Sequence, residues 1–462
     1  MMKTIKILQS TAAVAIALTM TTSCGLYKKY ETPTDNAMTR AYVEARQGQA
    51  ADSAAFGNLL WEEVFTDPIL ADYINKALAN NHSIEDARLN IELARTQLKG
   101  AKLAYFPSVA LAPNGAGASY AGSDLSWSYQ IPLSVSWEVD VFGKLLNSKR
   151  SAAVGVDIAE AQAQAVRSQI ISAVANTYYS LAAVEAQLAL SRNTARLWNQ
   201  SVQVMRDLKD AGRLNEAAVV QSDANYRSVL ASISQLEIQR VQLSNVLSEL
   251  LGTMPGEWTV TPDATLNAPK IALSGIPMNY LANRPDVAIA ERGLASAYYA
   301  TNSARAAFYP GLNITANGGF TNLLGSMIKN PGDWFVQLAG SLTAPLFSRG
   351  QNIARLEAAK ISQERALVSF EKTVLSAAGE VSNALTTIEK TDERAKHLDE
   401  QVADLEKSVD YTNDLLVYAN GTYLEVLTAQ QSLLQAQMNK ISNRLTRAQA
   451  VINLYQAVGG GR

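Results

Sequence analysis

Between Ser126 and Asp140 the chain alternates without a slip. Trp127, Tyr129, Ile131, Leu133, Val135, Trp137 and Val139 are apolar, and the residues between them are polar apart from Pro132. A period of two predicts a β-strand with one greasy and one wet face. Soluble strands run about 3–10 residues, whereas a tilted membrane-crossing strand needs about 9–11. Trp127 and Tyr129 at one end and Trp137 near the other match the aromatic girdles of a lipid-embedded barrel. The alternative for this stretch is a long amphipathic strand of a soluble sandwich.

From Asp67 onward the period becomes helical. Over Asn80–Pro107, Ser83 is the predicted N-cap, with Glu85 and Asp86 in the first turn, where the helix dipole favours acid. A shift of 203 residues lays this segment on Asn283–Pro310, pairing Asn80 with Asn283, Ala94 with Ala297, Ala104 with Ala307 and Pro107 with Pro310. Constant spacing of this kind marks an internal duplication. Both copies continue as two alternating runs, joined by Ala118–Leu125 in the first half and Asn322–Asp333 in the second. Four strands cannot close a barrel, because about eight is the smallest common size and open edges are not tolerated in hydrocarbon. Membrane embedding therefore requires several chains, and three would supply twelve strands.

Each strand pair leads into a long stretch nearly free of glycine and proline: none between Gly155 and Gly212, and only Gly379 between Gly350 and Gly421. Some 55–70 helical residues make a rod of roughly 80–100 Å. Small residues such as Ala159, Ala163 and Ala173 permit close helix packing. Each rod turns at a glycine, Gly212 or Gly421, as expected at a helix C′ position, and returns as Asn215–Leu251 or Tyr423–Val458.

The chain has 462 residues, 48% hydrophobic and 18% charged, with a net charge of −2, a balance that suggests neither nucleic acid nor an acidic substrate as partner. Only His82 and His397 are histidines, no phosphate-cradling glycine loop occurs, and no acids cluster in a turn, so no catalytic, cofactor or metal site is predicted. Lys3 and Lys6 precede an apolar run from Ile7 to Met20, too short for a membrane span and typical of a secretory signal. It ends at Thr21-Thr22-Ser23-Cys24, and Cys24 is the sole cysteine. Behind small residues it resembles a bacterial lipobox, which points to acylation.

Several segments together resemble the lipidated branch of the TolC-like outer-membrane efflux proteins. They are Asn283-Arg284-Pro285-Asp286-Val287, Ala304-Arg305-Ala306-Ala307-Phe308-Tyr309-Pro310, Tyr423-Leu424-Glu425-Val426-Leu427 and Asn453-Leu454-Tyr455-Gln456-Ala457. The resemblance implies an α+β membrane protein: a long antiparallel helical barrel, with four strands per chain in a trimeric twelve-stranded barrel. It implies a homotrimer in outer-membrane lipid that meets a periplasmic adaptor and an inner-membrane pump. Asn283 then reads as a helix cap, with Arg284, Pro285 and Asp286 as structural neighbours. Glu425 and Thr428 fall at the family's periplasmic aperture, and Gly212, Arg213, Gly421 and Thr422 at its adaptor-docking tips.

The implied organisation begins with a signal peptide (1–23), a lipidated, extended arm (24–66), a helix (67–107), a strand pair (108–141) and a helical hairpin (142–252). An equatorial crossover (253–276), a second helix (277–310), strand pair (311–346) and hairpin (347–458), and a flexible tail (459–462) complete it. The function implied is passive export of drugs, metals or other small solutes. The alternative is a lipid-anchored periplasmic coiled-coil scaffold without a pore.

Overall fold

The computed structural model describes residues 27–35, 37–48, 60–119, 122, 124–261, 281–321, 333–418 and 421–461. Cys24, the signal segment and most of the crossover lie outside these residues. The first half contains α1 (Ala37–Gly48), α2 (Trp61–Val64), α3 (Pro68–Asn80), α4 (His82–Leu103), β1 (Ser108–Leu111), β2 (Asn114–Ala118), β3 (Ser126–Val139), α5 (Lys144–Asp210) and α6 (Glu216–Leu250). The second contains α7 (Pro285–Ala306), β4 (Gly311–Thr321), β5 (Asp333–Thr343), α8 (Gln351–Tyr418) and α9 (Tyr423–Ala457).

The duplication is visible element by element. Helices α4 and α7 are both 22 residues and begin 203 apart; α6 and α9 are both 35 residues and begin 207 apart. Helices α5 and α8 have 67 and 68 residues. The offset changes between the strands, since β4 follows β1 by 203 and β5 follows β3 by 207. The second strand connection is therefore the longer one.

The chain divides into two compact units that interleave in sequence. One comprises the described residues up to Thr34 with Asn90–Glu160 and Ile289–Glu371, and it contains every strand. The other comprises Asp35–Leu89, Ala161–Ala288 and Lys372 onward, and it contains both helical turns. Its core is aromatic: Phe65 meets Tyr455 edge-on at 5.6 Å, and Tyr73 meets Trp258 at 5.3 Å and Tyr178 at 6.2 Å. The Tyr178 hydroxyl donates to Asp67 Oδ2 at 2.9 Å and accepts the Thr261 N–H at 2.9 Å. The stretch 258–261 is thereby tied to α3 and α5.

The structure corrects four local readings. Ala37–Gly48 is helical, not an extended arm, and it buries Thr39, Tyr42 and Ala45 at a spacing of three. Helix α4 is capped by Asn81, whose Oδ1 accepts the Ser83 N–H at 2.9 Å, so Ser83 lies inside the first turn. Helix α7 begins at Pro285, and the Arg284 carbonyl accepts the first helical bond, from Ala288 at 3.1 Å, so the cap position belongs to Arg284 and not to Asn283. The tail at Gly459–Gly461 is buried. There the Gly461 N–H donates to the Tyr455 hydroxyl at 2.9 Å, and Gln164 Nε2 donates to the Gly461 carbonyl at 2.9 Å. A Cβ at Gly460 would come within 2.5 Å of the Tyr455 ring, and Gly461 has φ +92°, so only glycine fits this path.

Candidate functional site

The sheet runs β1/β2–β3–β4–β5, and every pair is antiparallel. Strands β1 and β2 share one position, because their register against β3 continues across Ala112, whose N–H donates to the Pro132 carbonyl at 3.1 Å. Pro113 interrupts them, having no N–H to contribute. Five segments thus make four strand positions.

Register decides which side chains share a face. Val109 pairs with Val135, Val135 with Ala316, and Ala316 with Leu338; Val139 pairs with Leu312, and Leu312 with Leu342. The neighbouring rows are polar: Ser134 pairs with Asn317, and Asn317 with Gln337. Directly opposed residues share a face, so one side of the sheet is apolar and the other mostly polar, interrupted by the row Pro132–Gly319–Phe335. Nothing in the described chain covers the apolar side. On β5, Trp334, Val336, Leu338 and Leu342 are 75%, 73%, 75% and 69% exposed. Among the described residues the outer edges of β1/β2 and of β5 have no strand partner. An apolar face of this size with open edges is a surface awaiting a partner.

The two helical turns are built differently. At the first, Gly212 has φ +73°, its N–H donates to Lys209 O at 2.8 Å, and the Arg213 N–H donates to Leu208 O at 2.9 Å. This is the glycine-dependent Schellman ending of α5. Asn215 then caps α6, its side chain accepting the Ala218 N–H at 3.2 Å. At the second, the Gly421 N–H donates to Leu415 O at 3.1 Å and the Glu425 carboxylate accepts the Thr422 N–H at 2.9 Å. That bond is the backward half of a capping box. The turns lie side by side: Met205 and Val219 pack with Leu416 and Val426, and Leu214 and Tyr423 flank them. The structure thus brings Gly212, Arg213, Gly421 and Thr422 to one end of the second unit. Glu425 and Thr428 are exposed on α9, and the Thr428 hydroxyl donates back to Leu424 O at 2.8 Å.

Asn283–Asp286 sits elsewhere, at the C-terminal end of α9. The Arg284 side chain is 7% exposed. It donates to Asp286 through Nε at 3.0 Å and Nη2 at 2.7 Å, to Glu380 at 2.6 Å and to the Ala457 carbonyl at 2.8 Å. Burial opposes its charge, but the two carboxylates outweigh this and raise its pKa above the ordinary arginine value. The close approach of Gly459 to the Asn283 carbonyl, where a Cβ would come within 2.8 Å, completes the clasp. Glu380 was not among the residues singled out in the sequence, and the glycine tail was read there only as flexible. Glu380 lies 96 positions from Arg284, and its one local signal is the adjoining Gly379 in an otherwise glycine-free helix.

The profile of the family described as "Outer membrane efflux protein" matches residues 73–253 and 276–460. The chain belongs to the outer membrane efflux protein family. It is 28% identical to the probable efflux pump outer membrane protein TtgC of Pseudomonas putida, with 98% of this chain and 96% of that protein covered. It is 26% identical to the cation efflux system protein CusC of Escherichia coli, with 97% and 98% covered. Among solved structures, the open-state MtrE outer membrane channel of Neisseria gonorrhoeae is 27% identical, with a TM-score of 0.79 over 94% of this chain and 97% of that one. The outer-membrane channel OprN is 26% identical, with a TM-score of 0.82 over 94% and 98%. The chain is thus an outer-membrane efflux channel component, and the two-faced sheet is its strand portion.

Proposed function

We propose that three copies of this chain close one twelve-stranded barrel, giving a passive export duct through the outer membrane. The observation that carries the proposal is the register of the sheet. It gathers the large apolar side chains of all four strand positions, Phe335 excepted, on one uncovered face and leaves two open edges, which hydrocarbon does not tolerate. Head-to-tail pairing of the β5 edge with the β1/β2 edge of the next copy satisfies both edges by rotation, as a closed ring requires.

In this reading Cys24 carries the lipid anchor and the four strand positions cross the membrane. The hairpins α5–α6 and α8–α9 extend the duct, with their turns meeting a periplasmic adaptor coupled to an inner-membrane pump. Exposed Val220, Tyr418 and Leu424 around those turns supply apolar surface for that docking. Glu425 and Thr428 narrow the aperture from their shared exposed face of α9. The names of the relatives support the efflux assignment: TtgC is a probable efflux pump outer membrane protein and CusC is a cation efflux protein. The test is purification in detergent followed by planar-bilayer recording. Heat-resistant trimers with stable single-channel steps are expected. A monodisperse, non-conducting monomer would point instead to the scaffold alternative.

A further inference from the structure

The base of the sheet, where β1 and β4 begin and β3 and β5 end, carries a second pattern. Residues 27–34 form a strap that starts there, at Gly143, and runs along α5 and α7. Arg150 donates to the Tyr27 carbonyl at 3.1 Å and the Lys28 carbonyl at 3.4 Å, the Tyr30 N–H donates to the Tyr299 hydroxyl at 3.1 Å, and Thr32 donates to Glu291 at 2.7 Å. The Tyr27 ring lies against Gly143, where a Cβ would come within 3.1 Å of it. With its backbone held in this way, the strap leaves Lys28 and Lys29 exposed.

The apolar face of the sheet leads directly into this region. Trp137, on that face, donates Nε1–H to the Tyr105 carbonyl at 2.9 Å, and the Lys149 ammonium sits 5.6 Å from the centre of the Tyr105 ring. Among the described residues, Lys28, Lys29 and Lys149 have no carboxylate partner. The surrounding sequence is biased in the same direction. Stretches 27–34, 96–107, 140–150, 301–310 and 344–356 together hold ten lysines and arginines against two acids, with Glu138 and Glu357 just outside them and Lys144 paired with Glu138 at 2.8 Å, in a chain whose net charge is −2. One of those acids, Asp140, is occupied by the Leu145 and Leu146 N–H groups of α5.

We propose that this girdle binds the anionic headgroups of the phospholipid leaflet next to the helices, with Lys28, Lys29 and Lys149 as the phosphate-facing cations. The proposal rests on the lipid-facing reading of the sheet. Aromatic rings with long cationic side chains beside them suit the boundary between hydrocarbon and headgroups. Cys24 precedes Tyr27 by three residues, a reach of at most about 10 Å, so the acyl chain proposed for it would start beside this girdle. A lipid chain plus a basic patch is the pairing that makes anchoring stable.

The test counts lipids retained by the full-length protein, by native mass spectrometry after exposure to phosphatidylglycerol or phosphatidylcholine, with inorganic phosphate as a competitor. Wild type is expected to prefer phosphatidylglycerol. Each cation near an anionic surface is worth about fivefold, so the triple variant K28Q/K29Q/K149Q should weaken phosphatidylglycerol binding on the order of 100-fold and leave phosphatidylcholine unchanged. The remote triple K76Q/K390Q/K407Q should change neither. An effect of about twofold or less, an equal loss in the remote triple, or displacement by millimolar inorganic phosphate would overturn the proposal. A wild type that retains neither lipid would overturn the lipid-facing sheet itself.

Discussion

Replacing Arg284 with Ala removes the donor that joins the start of α7, the middle of α8 and the end of α9. The Ala457 carbonyl then stays buried without its charged partner, which costs about 1–3 kcal/mol. Asp286 and Glu380 lose their ion pairs too, but their side chains are 46% and 53% exposed and water can take over. Those two contacts are therefore worth surface values, about 0.2–1 kcal/mol each. Together these come to about 1.4–5 kcal/mol per chain. Arg284→Lys keeps the charge but cannot present a planar fork to three acceptors, so about half that loss is expected. Lys390, whose pair with Glu393 at 2.7 Å is exposed, provides a control, and K390A should cost only a small fraction of the R284A loss. The assay is thermal unfolding of purified protein in detergent. A drop is expected for R284A, at about 1 °C per kcal/mol for 462 residues, with R284K between it and wild type. R284A within about 1 °C of wild type would refute the clasp.

Three other outcomes follow from the geometry. Gly319→Ala should weaken the β3–β4 pairing and lower the yield of inserted protein, since a Cβ there runs into the backbone carbonyl of Ile131; insertion at wild-type levels would contradict the register. Asp67 opposes burial with hydrogen bonds from Thr261, Tyr178, Leu70 and Ile69, and the bonds win, holding its pKa below the usual 3.8. Its contribution is thus present above 3.8 and lost as pH falls through the lower folded value, so an acid titration of stability should be shallower in D67N than in wild type. At the tip, Glu425→Gln preserves a capping-box acceptor while removing charge, and Glu425→Ala removes both. Higher permeability to large antibiotics in both variants supports an electrostatic aperture; a leak confined to E425A would assign Glu425 to capping alone.

The strands and the duplication were legible because each rests on local pattern. Alternation over Ser126–Asp140 has one structural solution, and a 203-residue offset survives as two 22-residue helices. The scarcity of glycine and proline similarly announced α5 and α8. What stayed hidden depends on contacts distant in sequence. Helix α1 buries a threonine, a tyrosine and an alanine, a stripe too weakly apolar to register as a helical face. Three successive glycines at the end of a chain suggest freedom, yet Gly459–Gly461 are there because Asn283, Tyr455 and Ser168 leave no room for a Cβ. The Arg284 clasp joins residues 96 and 173 positions apart, and no window along the chain contains them. Glu425 shows a different limit: its exposed position suits an aperture, while its bond to the Thr422 N–H gives it a structural duty at the same time.

Site-directed spin labelling of the protein in bilayers tests the two-faced sheet most directly. Labels at L338C and Q337C occupy adjacent positions on β5 and opposite faces. The account predicts that the label at 338 collides with oxygen dissolved in lipid and is shielded from a water-soluble relaxant, with the reverse at 337. Equal access of the aqueous relaxant to both positions would contradict it.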